Sequence, residues 1–281
     1  MKVLVTGVKG QLGYDVVKHC KENSIEVQGI DKDEADITNE AQIKQYIKDY
    51  DPDIVIHCAA YTAVDKAETD KDLCYKINVL GTRYIAEACR DIDAVMMYFS
   101  TDYVFQGDGE SFYKEDDPVH PSNEYGLTKW QGEEEVRKVL TKYFILRISW
   151  VYGINGHNFV KTMLKLAETH KELNVVNDQI GSPTYTDDVA KLIIDMIQTD
   201  KYGIYHVTNE DICSWYEFAC KIFELCHIQI KVNPVTSDQY PSAAKRPLNS
   251  RLDKTKLETA GFHRLPTWED ALERYLKELD Q

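Results

Sequence analysis

The chain has 281 residues, which is enough for one large α/β domain with an elaboration or for two domains. The formal net charge of −14 argues against non-specific nucleic-acid binding, because the neutralisation of phosphates needs a basic face. No apolar run approaches the roughly 18 residues of a membrane span, and residues 3–5 lead directly into glycines, so we expect no signal peptide. Seven cysteines without a C-x-x-C pair favour reduced thiols in a cytoplasmic protein over a disulfide framework or a zinc site.

The N-terminal segment has the pattern of a dinucleotide site. Residues 2–6 predict a buried strand, residues 7–13 read Gly-Val-Lys-Gly-Gln-Leu-Gly, and residues 14–22 have helical spacing. In such a unit the glycines allow a tight turn and a close backbone approach, and the helix N-terminus faces the pyrophosphate. A glycine-rich loop can also be a plain tight turn, but its position at the start of an α/β pattern favours the dinucleotide site.

The second predicted strand, residues 25–30, ends at Asp31. An acidic residue at this position usually accepts a hydrogen bond from the adenosine ribose 2′-hydroxyl, which favours NAD. Lys32 follows directly and would instead pair with a 2′-phosphate. A solvated charged turn is a third interpretation. The choice between NAD and NADP therefore stays open.

Further units continue the alternation of strand and helix. They are a helix over residues 39–50, a strand over 53–60, a helix over 73–89 and a strand over 94–100. Small side chains at Ala59 and Ala60 would let a ribose or nicotinamide lie close to the backbone. Thr101 directly follows the fourth strand, and ligands of open parallel sheets lie beyond the carboxyl ends of strands. We expect its hydroxyl to bond a substrate oxygen, although a turn or cap hydroxyl is the alternative.

Tyr125 and Lys129 are the candidate catalytic pair. They are four residues apart at the start of a predicted helix that runs to residue 139, which places both side chains on one face. A cation near a phenol lowers the phenol pKa, and such a tyrosine exchanges a proton with a sugar or alcohol oxygen. Tyr14 and Lys18 repeat the spacing, but they lie in the helix under the pyrophosphate.

The alternation predicts an α/β fold with a doubly wound parallel sheet of the Rossmann type. Residues 107–123 predict a loop over the site, and residues 143–151 a fifth strand. We assign residues 1–152 to an NAD(P)-binding domain to which residues 186–207 return. Residues 153–185 and 208–281 would form a smaller C-terminal α/β substrate lobe, because they are too few for an independent core.

Eight motifs carry a resemblance that runs nearly end to end. They lie at residues 7–13, 57–68, 100–105, 125–129, 149–153, 158–164, 177–183 and 246–252. On these motifs the chain resembles the extended short-chain dehydrogenase/reductases and, within them, the dTDP-4-dehydrorhamnose reductase family. The glycine loop and the Tyr/Lys pair are shared by many reductases and epimerases. Residues 59–68 and 246–252 are much more specific to this reductase family.

The resemblance implies that NADPH or NADH delivers hydride to C4 of the 4-keto sugar of dTDP-4-dehydro-L-rhamnose. Tyr125 would protonate the C4 alkoxide, Lys129 would hold the nicotinamide ribose hydroxyls, and Thr101 would orient the keto oxygen. The implied cofactor-binding residues are Gly7, Gly10, Gln11, Leu12, Gly13, Asp31, Lys32, Asp36, Ile37, Ala59, Ala60, Thr62, Tyr125 and Lys129.

The resemblance also implies a sugar-nucleotide site. Its residues are Val64, Asp65, Lys66, Thr101, Asp102, Trp150, Asn158 and Arg246. Arg246 or Lys66 would meet the diphosphate, and the guanidinium suits that bidentate role better. Trp150 could instead belong to the core.

Some members of the family use a divalent ion such as Mg at a dimer contact. Asp15 is the single nearby acidic match, so we predict no metal site, and a homodimer is compatible with the sequence. Two alternative functions stay open. One is an NDP-sugar epimerase or dehydratase that retains NAD. The other is a non-catalytic NADP-binding subunit similar to the β subunit of methionine adenosyltransferase.

Overall fold

The computed structural model describes residues 1–240 and 242–280, so residues 241 and 281 of the predicted substrate lobe lie outside the described part. Its strands are β1 (Lys2–Thr6), β2 (Glu26–Ile30), β3 (Ile54–His57), β4 (Val95–Thr101), β5 (Tyr143–Ile148), β6 (Val151–Tyr152), β7 (Glu172–Val176), β8 (Ile180–Gly181), β9 (Thr184–Tyr185), β10 (Gly203–His206), β11 (Cys213–Ser214), β12 (Lys231–Val235) and β13 (Asn249–Ser250).

The helices of the described residues are α1 (Gln11–Glu22), α2 (Glu40–Tyr50), α3 (Val64–Ala67), α4 (Lys71–Tyr75), α5 (Thr82–Asp91), α6 (Glu124–Val139), α7 (Phe159–Ala167), α8 (Thr186–Met196), α9 (Trp215–Leu225), α10 (Thr255–Thr259) and α11 (Trp268–Leu279). None of these helices combines the length and the apolar character that a membrane-spanning helix needs.

The central sheet has six strands in the order β10-β5-β4-β3-β1-β2. Every neighbouring pair in it is parallel. Thr6 at the end of β1 pairs with Ile30 on one side and His57 on the other, so the three strands end at the same level. The chain reverses its direction across the sheet next to β1, and ligands of open α/β sheets bind outside the strand ends at such a switch point.

Helices cover both faces of this sheet. Successive residues of its strands point to opposite faces, and residues on both faces are apolar. In β1, Val3 and Val5 join a core with α1 and α8, whereas Leu4 joins a second core with α2, α5 and α6. Each fully buried Val or Leu side chain contributes about 1.5–3 kcal/mol of transfer free energy. The predicted doubly wound α/β fold of the Rossmann type is confirmed.

The helix predicted over residues 73–89 is interrupted by a π-helical segment, Lys76–Gly81, which joins α4 to α5. Asn78 lies in this segment and is buried. Its Oδ1 accepts a hydrogen bond from the Tyr61 amide at 2.8 Å, and its Nδ2 donates to Thr128 Oγ1 at 3.2 Å. Such π-helical turns are rare and frequent at functional sites. This one lets Asn78 connect the segment after β3 to α6.

The fifth strand ends earlier than the predicted residue 151. β5 stops at Ile148, and Trp150 adopts a left-handed backbone with φ 51°, which redirects the chain. Beyond this turn, β6 pairs with β9 and not with the central sheet.

A further apolar core lies beyond the central sheet and is built by α7, α9 and α11. Two small sheets accompany it, the parallel pair β12–β7 and the three strands β11-β8-β13. The short strands β8 and β9 lie between β7 and α8, and neither they nor β12 were predicted from the sequence. Leu257, Phe262 and Leu265 of the predicted substrate lobe instead pack into the core of the central sheet. The division of the chain into two domains stays a prediction.

Candidate active site

The predicted catalytic residues lie at the carboxyl end of the central sheet. Thr101 is the last residue of β4, and Tyr125 and Lys129 lie in the first two turns of α6. Thr101 is 5% exposed and Lys129 is 3% exposed, whereas the Tyr125 side chain is half-buried. The Tyr103 ring meets the Tyr125 ring edge-on, with the centroids 5.6 Å apart. The structure therefore brings the three predicted side chains to one crevice.

Two side chains fix the start of α6. Asn123 is the N-cap, and its Oδ1 accepts a hydrogen bond from the Gly126 amide at 2.8 Å. The Glu68 carboxylate accepts a second one from the Glu124 amide at 2.8 Å. These bonds satisfy amides that would otherwise lack partners, and an N-cap of this kind stabilises a helix by about 1 kcal/mol. The two hydrogen bonds fix the first turn of α6 and thereby the position of Tyr125 in the crevice.

Gly126 explains why glycine follows the candidate catalytic tyrosine, Tyr125. A Cβ atom at this position would lie 2.2 Å from the Tyr103 carbonyl oxygen, so α6 packs here against the backbone of the segment after β4. Only a residue without a side chain allows this approach. The contact sets the distance between α6 and the turn that follows Thr101.

Burial controls the protonation of the candidate catalytic pair, Tyr125 and Lys129. It raises the pKa of the Tyr125 phenol above its usual range, the Asp102 carboxylate acts in the same direction, and the Thr101 hydroxyl opposes the rise. Burial also lowers the pKa of Lys129 to about 7. The predicted lowering of the phenol pKa by Lys129 is thus wrong, because burial of the phenol raises its pKa and the opposing group is the Thr101 hydroxyl. The phenol stays neutral at physiological pH, which is the form that donates a proton.

The Asp102 side chain holds the carboxyl end of β4 in place. One carboxylate oxygen accepts from Thr101 Oγ1 at 2.9 Å, and the other accepts from the hydroxyl of Ser250 in β13. Burial raises the pKa of Asp102 to about 6 against these hydrogen bonds. Each carboxylate oxygen thus accepts a hydrogen bond within the protein, and the contact of Asp102 with the substrate stays a prediction. The Asp102 side chain fixes Thr101, whose Oγ1 also accepts from the Tyr103 amide at 3.2 Å.

A cleft of ≈ 180 Å³ opens beside this site, along the ends of β1, β2 and β3. It brings together many of the predicted cofactor residues. Its lining consists of Thr6, Gly7, Ile30, Asp31, Lys32, Ala35, Asp36, Ile37, Thr38, Ala59, Ala60, Leu73 and Ile77.

The glycine loop fits a dinucleotide at this cleft. Gly7 has φ +72°, and a Cβ atom there would lie 2.6 Å from the Ala59 amide nitrogen. A Cβ atom on Gly13 would lie 2.4 Å from the Gly7 carbonyl oxygen, so the start of α1 presses against the loop. The Gly10 amide donates to the Gly7 carbonyl at 3.0 Å and closes the turn. The backbone at the N-terminus of α1 is therefore open to a pyrophosphate.

Among the predicted cofactor residues outside α6, three side chains do not line the cleft. Gln11 turns toward α7, where its Oε1 accepts from the Gly153 amide at 2.9 Å. Leu12 is 8% exposed and packs in the core between α1 and the sheet, because it lies on the inner face of the helix. Thr62 is exposed and does not line the cleft. Gln11 and Leu12 retain only backbone access to a ligand.

The two acids predicted for the adenosine end are held by local hydrogen bonds. Asp31 accepts from the Lys9 amide at 3.1 Å and from the Lys32 amide at 2.9 Å. Asp36 accepts from the amide and the hydroxyl of Thr38, which lowers the pKa of Asp36 against the opposing effect of burial. Lys32 is exposed at the rim of the cleft.

The predicted diphosphate site contains an ion pair. Arg246 Nη2 lies 2.6 Å from Asp65 Oδ2, and the Ala244 amide donates to the other oxygen of Asp65 at 3.1 Å. Lys66 is exposed next to this pair, and Val64 is half-buried. Burial raises the pKa of the Tyr103 phenol, and the charge of Arg246 lowers this pKa while that of Asp65 raises it. The ion pair therefore lies on the side of the crevice where Tyr103 meets Tyr125.

Two other predicted substrate residues have structural partners. Asn158 caps α7 by accepting from the Lys161 amide at 3.0 Å, and its Nδ2 donates to Gln11 Oε1 at 3.0 Å and to the Gly153 carbonyl at 2.9 Å. Both polar atoms of the side chain thus have partners within the protein, and the contact of Asn158 with the sugar nucleotide stays a prediction. Trp150 is half-buried and stacks on Trp215, with the ring centroids 3.8 Å apart.

The second Tyr/Lys pair is separate from the crevice. Tyr14 is 46% exposed on α1. Lys18 forms ion pairs with Glu278 at 3.1 Å and with Asp187 at 3.4 Å. Asp15 is buried nearby and accepts from the Thr186 hydroxyl. In residues 1–240 and 242–280, no group of three or more His, Cys, Asp or Glu side chains is arranged to hold a metal ion.

A buried ion pair next to the site was not predicted from the sequence. Arg147 in β5 and Glu133 in α6 are 2% and 1% exposed, and their charged groups lie 2.8 Å apart. Two signals were present. Arg147 is a single charge within an apolar strand, which rarely occurs without a partner. Glu133 follows Lys129 by one helical turn.

Comparisons with known proteins agree with this geometry. The model of the family described as the RmlD substrate binding domain matches residues 1–281. The spore coat polysaccharide biosynthesis protein SpsK of Bacillus subtilis is 45% identical over 277 residues, which cover 99% of this chain and 97% of that protein. The dTDP-4-dehydrorhamnose reductase of Aggregatibacter actinomycetemcomitans is 42% identical over 284 residues, covering 96% and 97%.

A solved structure extends the agreement to three dimensions. The crystal structure of the dTDP-4-dehydrorhamnose reductase of Bacillus anthracis in complex with NADP is 45% identical and covers 99% of this chain and 100% of that chain, with a TM-score of 0.96. The resemblance drawn from the motifs is thereby confirmed. The chain belongs to the RmlD substrate binding domain family.

Proposed function

We propose that the protein reduces the 4-keto group of dTDP-4-dehydro-L-rhamnose and forms dTDP-L-rhamnose, with NADPH or NADH as the hydride donor. The observation that carries this conclusion is the position of Thr101 at the end of β4 and of Tyr125 and Lys129 at the start of α6, at the same edge of the central sheet as the cleft that Gly7 lines. The names of the relatives and the NADP bound in the Bacillus anthracis structure support the same substrate class and cofactor.

The residues of the crevice would divide the chemistry among them. A reduced nicotinamide bound at the cleft supplies the hydride. Tyr125, neutral because burial raises its pKa, would donate its phenolic proton to the oxygen at C4. Thr101 would orient that oxygen, and the Lys129 ammonium would bind the ribose hydroxyls and stabilise the charge left on Tyr125.

We assign the sugar-nucleotide side to the segment from Val64 to Lys66 and to the lobe that carries Arg246 and Trp150. The Asp65–Arg246 pair supports this assignment, because it holds a guanidinium at the edge of the crevice without burying it. A diphosphate would compete with the Asp65 carboxylate for the same donors.

The direct test follows the absorbance of the reduced nicotinamide in the presence of dTDP-4-dehydro-6-deoxyglucose and the separate epimerase that forms the L-sugar. We expect oxidation that requires both the sugar and the epimerase. Tightly bound NAD with no net oxidation would support the epimerase or dehydratase alternative. A stable complex with a synthetase subunit and no turnover would support the regulatory alternative.

Arg246→Gln is expected to raise the KM for the sugar nucleotide by about 10- to 100-fold, because a hydrogen bond to a charged group contributes about 1.5–3 kcal/mol. The affinity for the cofactor should not change, since Arg246 does not line the cleft. Steady-state kinetics and fluorescence titration measure the two quantities. Arg264→Gln, which removes a surface guanidinium paired with Glu258, is the control. An unchanged KM in Arg246→Gln would remove Arg246 from the diphosphate site.

We infer that the protein prefers NADPH, and the NADP found in the Bacillus anthracis relative supports this choice. Lys32 at the rim of the cleft is the candidate partner of the 2′-phosphate. Lys32→Ala should weaken NADPH binding about fivefold and leave NADH binding unchanged, as expected for an exposed ion pair of about 1 kcal/mol. Lys48→Ala on α2 is the control. Equal losses for both cofactors would assign Lys32 another role.

We also propose a cytoplasmic homodimer. The seven cysteines are all free, which is typical of a reducing compartment. The dimer rests on the resemblance to the reductase family, and sedimentation equilibrium tests it. A monomer at every concentration at which the enzyme is active would contradict the dimer.

A further inference from the structure

The Glu133–Arg147 pair is an unusual feature of this molecule. Arg147 Nε donates to Glu133 Oε1 at 2.9 Å, and Arg147 Nη2 donates to Glu133 Oε2 at 2.8 Å. Both side chains are almost completely buried. The desolvation of two charges offsets most of their attraction, so a buried ion pair is a weak source of stability. Its position next to the active site indicates another role.

Glu133 lies one helical turn after Lys129, on the same side of α6. Between them, Gly132 allows α6 to approach β4, because a Cβ atom there would lie 2.3 Å from the Tyr98 hydroxyl. That hydroxyl donates to the Lys129 carbonyl at 3.2 Å, and Lys129 Nζ lies 4.2 Å from the centroid of the Tyr98 ring. Lys129 thus lies over the Tyr98 ring, and the buried Glu133 carboxylate belongs to the next turn of the same helix.

Arg147 connects Glu133 of α6 to the chain segment that precedes α6. Its Nη1 donates to the Glu115 carbonyl at 3.1 Å, and its guanidinium lies 5.0 Å from the centroid of the Phe105 ring. All three hydrogen-bonding nitrogens of the guanidinium are therefore occupied. The fork holds the Glu133 carboxylate in a single orientation, which a monodentate cation would not do.

We infer that Glu133, oriented by Arg147, is a positioning residue that keeps the Lys129 ammonium charged and available to the cofactor ribose. This inference rests on the proposed function and deepens it. Burial lowers the pKa of Lys129 to about 7, and Glu133 is the main group that opposes the fall. Without the Glu133 charge, the Lys129 pKa would fall further, and the unpaired Arg147 would add to the effect.

The other titratable groups around Lys129 do not replace Glu133. They are Cys74 from α4, Cys58 after β3, His57 from β3, Tyr98 from β4, and Tyr125 from α6. Burial raises the pKa of both thiols and of both phenols, so none of them carries a negative charge at neutral pH. Burial lowers the pKa of His57 to about 3, so this ring is also neutral.

The experiment measures the Kd of NADPH by fluorescence as a function of pH, without any sugar substrate. In the wild type, binding should weaken as the pH rises and Lys129 loses its proton. In Glu133→Gln the midpoint of this loss should move down by about one pH unit, which makes binding about tenfold weaker on the alkaline side. At the acid end the two proteins should converge. Titration of the cofactor is common to all variants and cancels in the comparison.

Glu134→Gln is the matched control. Glu134 lies on the same helix and pairs with Arg137 at 2.6 Å, but at the surface. Its pH profile should overlay that of the wild type. A profile of Glu133→Gln that also overlays the wild type would overturn the inference.

A double variant, Glu133→Gln with Arg147→Met, separates positioning from folding. It leaves no unpaired buried charge, so its stability should exceed that of Glu133→Gln. We expect the pH midpoint to stay displaced downward, because the Glu133 charge is still missing. A double variant with the wild-type profile would show that the pair is merely structural. No binding by the wild type at any pH would instead overturn the cofactor site on which the inference rests.

Discussion

Tyr125→Phe is expected to lower kcat by about 10²- to 10⁴-fold, the usual contribution of a general acid. The substitution removes only the hydroxyl and keeps the ring that meets Tyr103 edge-on. The cofactor affinity should therefore remain within about twofold of the wild type, since uncharged hydroxyls contribute little when the ring is retained. Steady-state kinetics with saturating sugar nucleotide and a fluorescence titration of the cofactor provide the two measurements.

Tyr14→Phe on α1 is the control for this prediction, because Tyr14 and Lys18 have the same spacing but lie outside the crevice. We expect its kcat to equal that of the wild type. Wild-type turnover in Tyr125→Phe would remove the assignment of Tyr125 as proton donor. Because burial raises the pKa of Tyr125, loss of activity toward alkaline pH should follow Lys129 first.

Gly126→Ala is expected to destabilise the protein by about 1–3 kcal/mol, the usual range for an overpacked site. In most helices the same change stabilises by about 0.5–1 kcal/mol, so the sign is reversed here. The reason is the Cβ atom, which would lie 2.2 Å from the Tyr103 carbonyl oxygen. A shift of α6 to relieve this contact would displace Tyr125, and a misplacement of about 1 Å lowers turnover by about 10²-fold.

Urea unfolding and kcat measure these two effects of Gly126→Ala. Glu134→Ala on the same helix is the control, since its side chain is at the surface and the substitution introduces no new contact. We expect the control to stay within about 0.5 kcal/mol of the wild type. A Gly126→Ala protein as stable and as active as the wild type would contradict the close packing of α6 on the Tyr103 backbone.

The central sheet could be predicted because its signals are local. Apolar runs such as residues 3–5 and 54–56 are followed by glycine or small residues, and helical spacing comes next each time. The interruption of the long helix at Lys76–Gly81 could not be predicted, since it depends on contacts of Asn78 with residues far along the chain. Strands of two residues, such as β8 and β13, are too short to show a period.

The candidate site could be predicted at the level of residue positions but not of side-chain directions. The motifs placed Gln11 and Asn158 near ligands, whereas the two side chains bond each other at the junction with α7. Asn158 directly precedes α7, so the capping preference of asparagine was a usable signal. The pKa of Tyr125 depends on burial, which spacing alone does not reveal.

The most direct test of the account is transfer of deuterium to the sugar from a reduced nicotinamide that carries deuterium at both hydrogen positions of C4. The reaction contains the protein, the keto-sugar nucleotide and the epimerase, and the product is analysed by mass spectrometry and NMR. We predict one deuterium at C4 of the sugar for each cofactor oxidised. Sugar turnover without net oxidation of the cofactor, or oxidation that leaves no deuterium in the sugar, would contradict the proposed reduction.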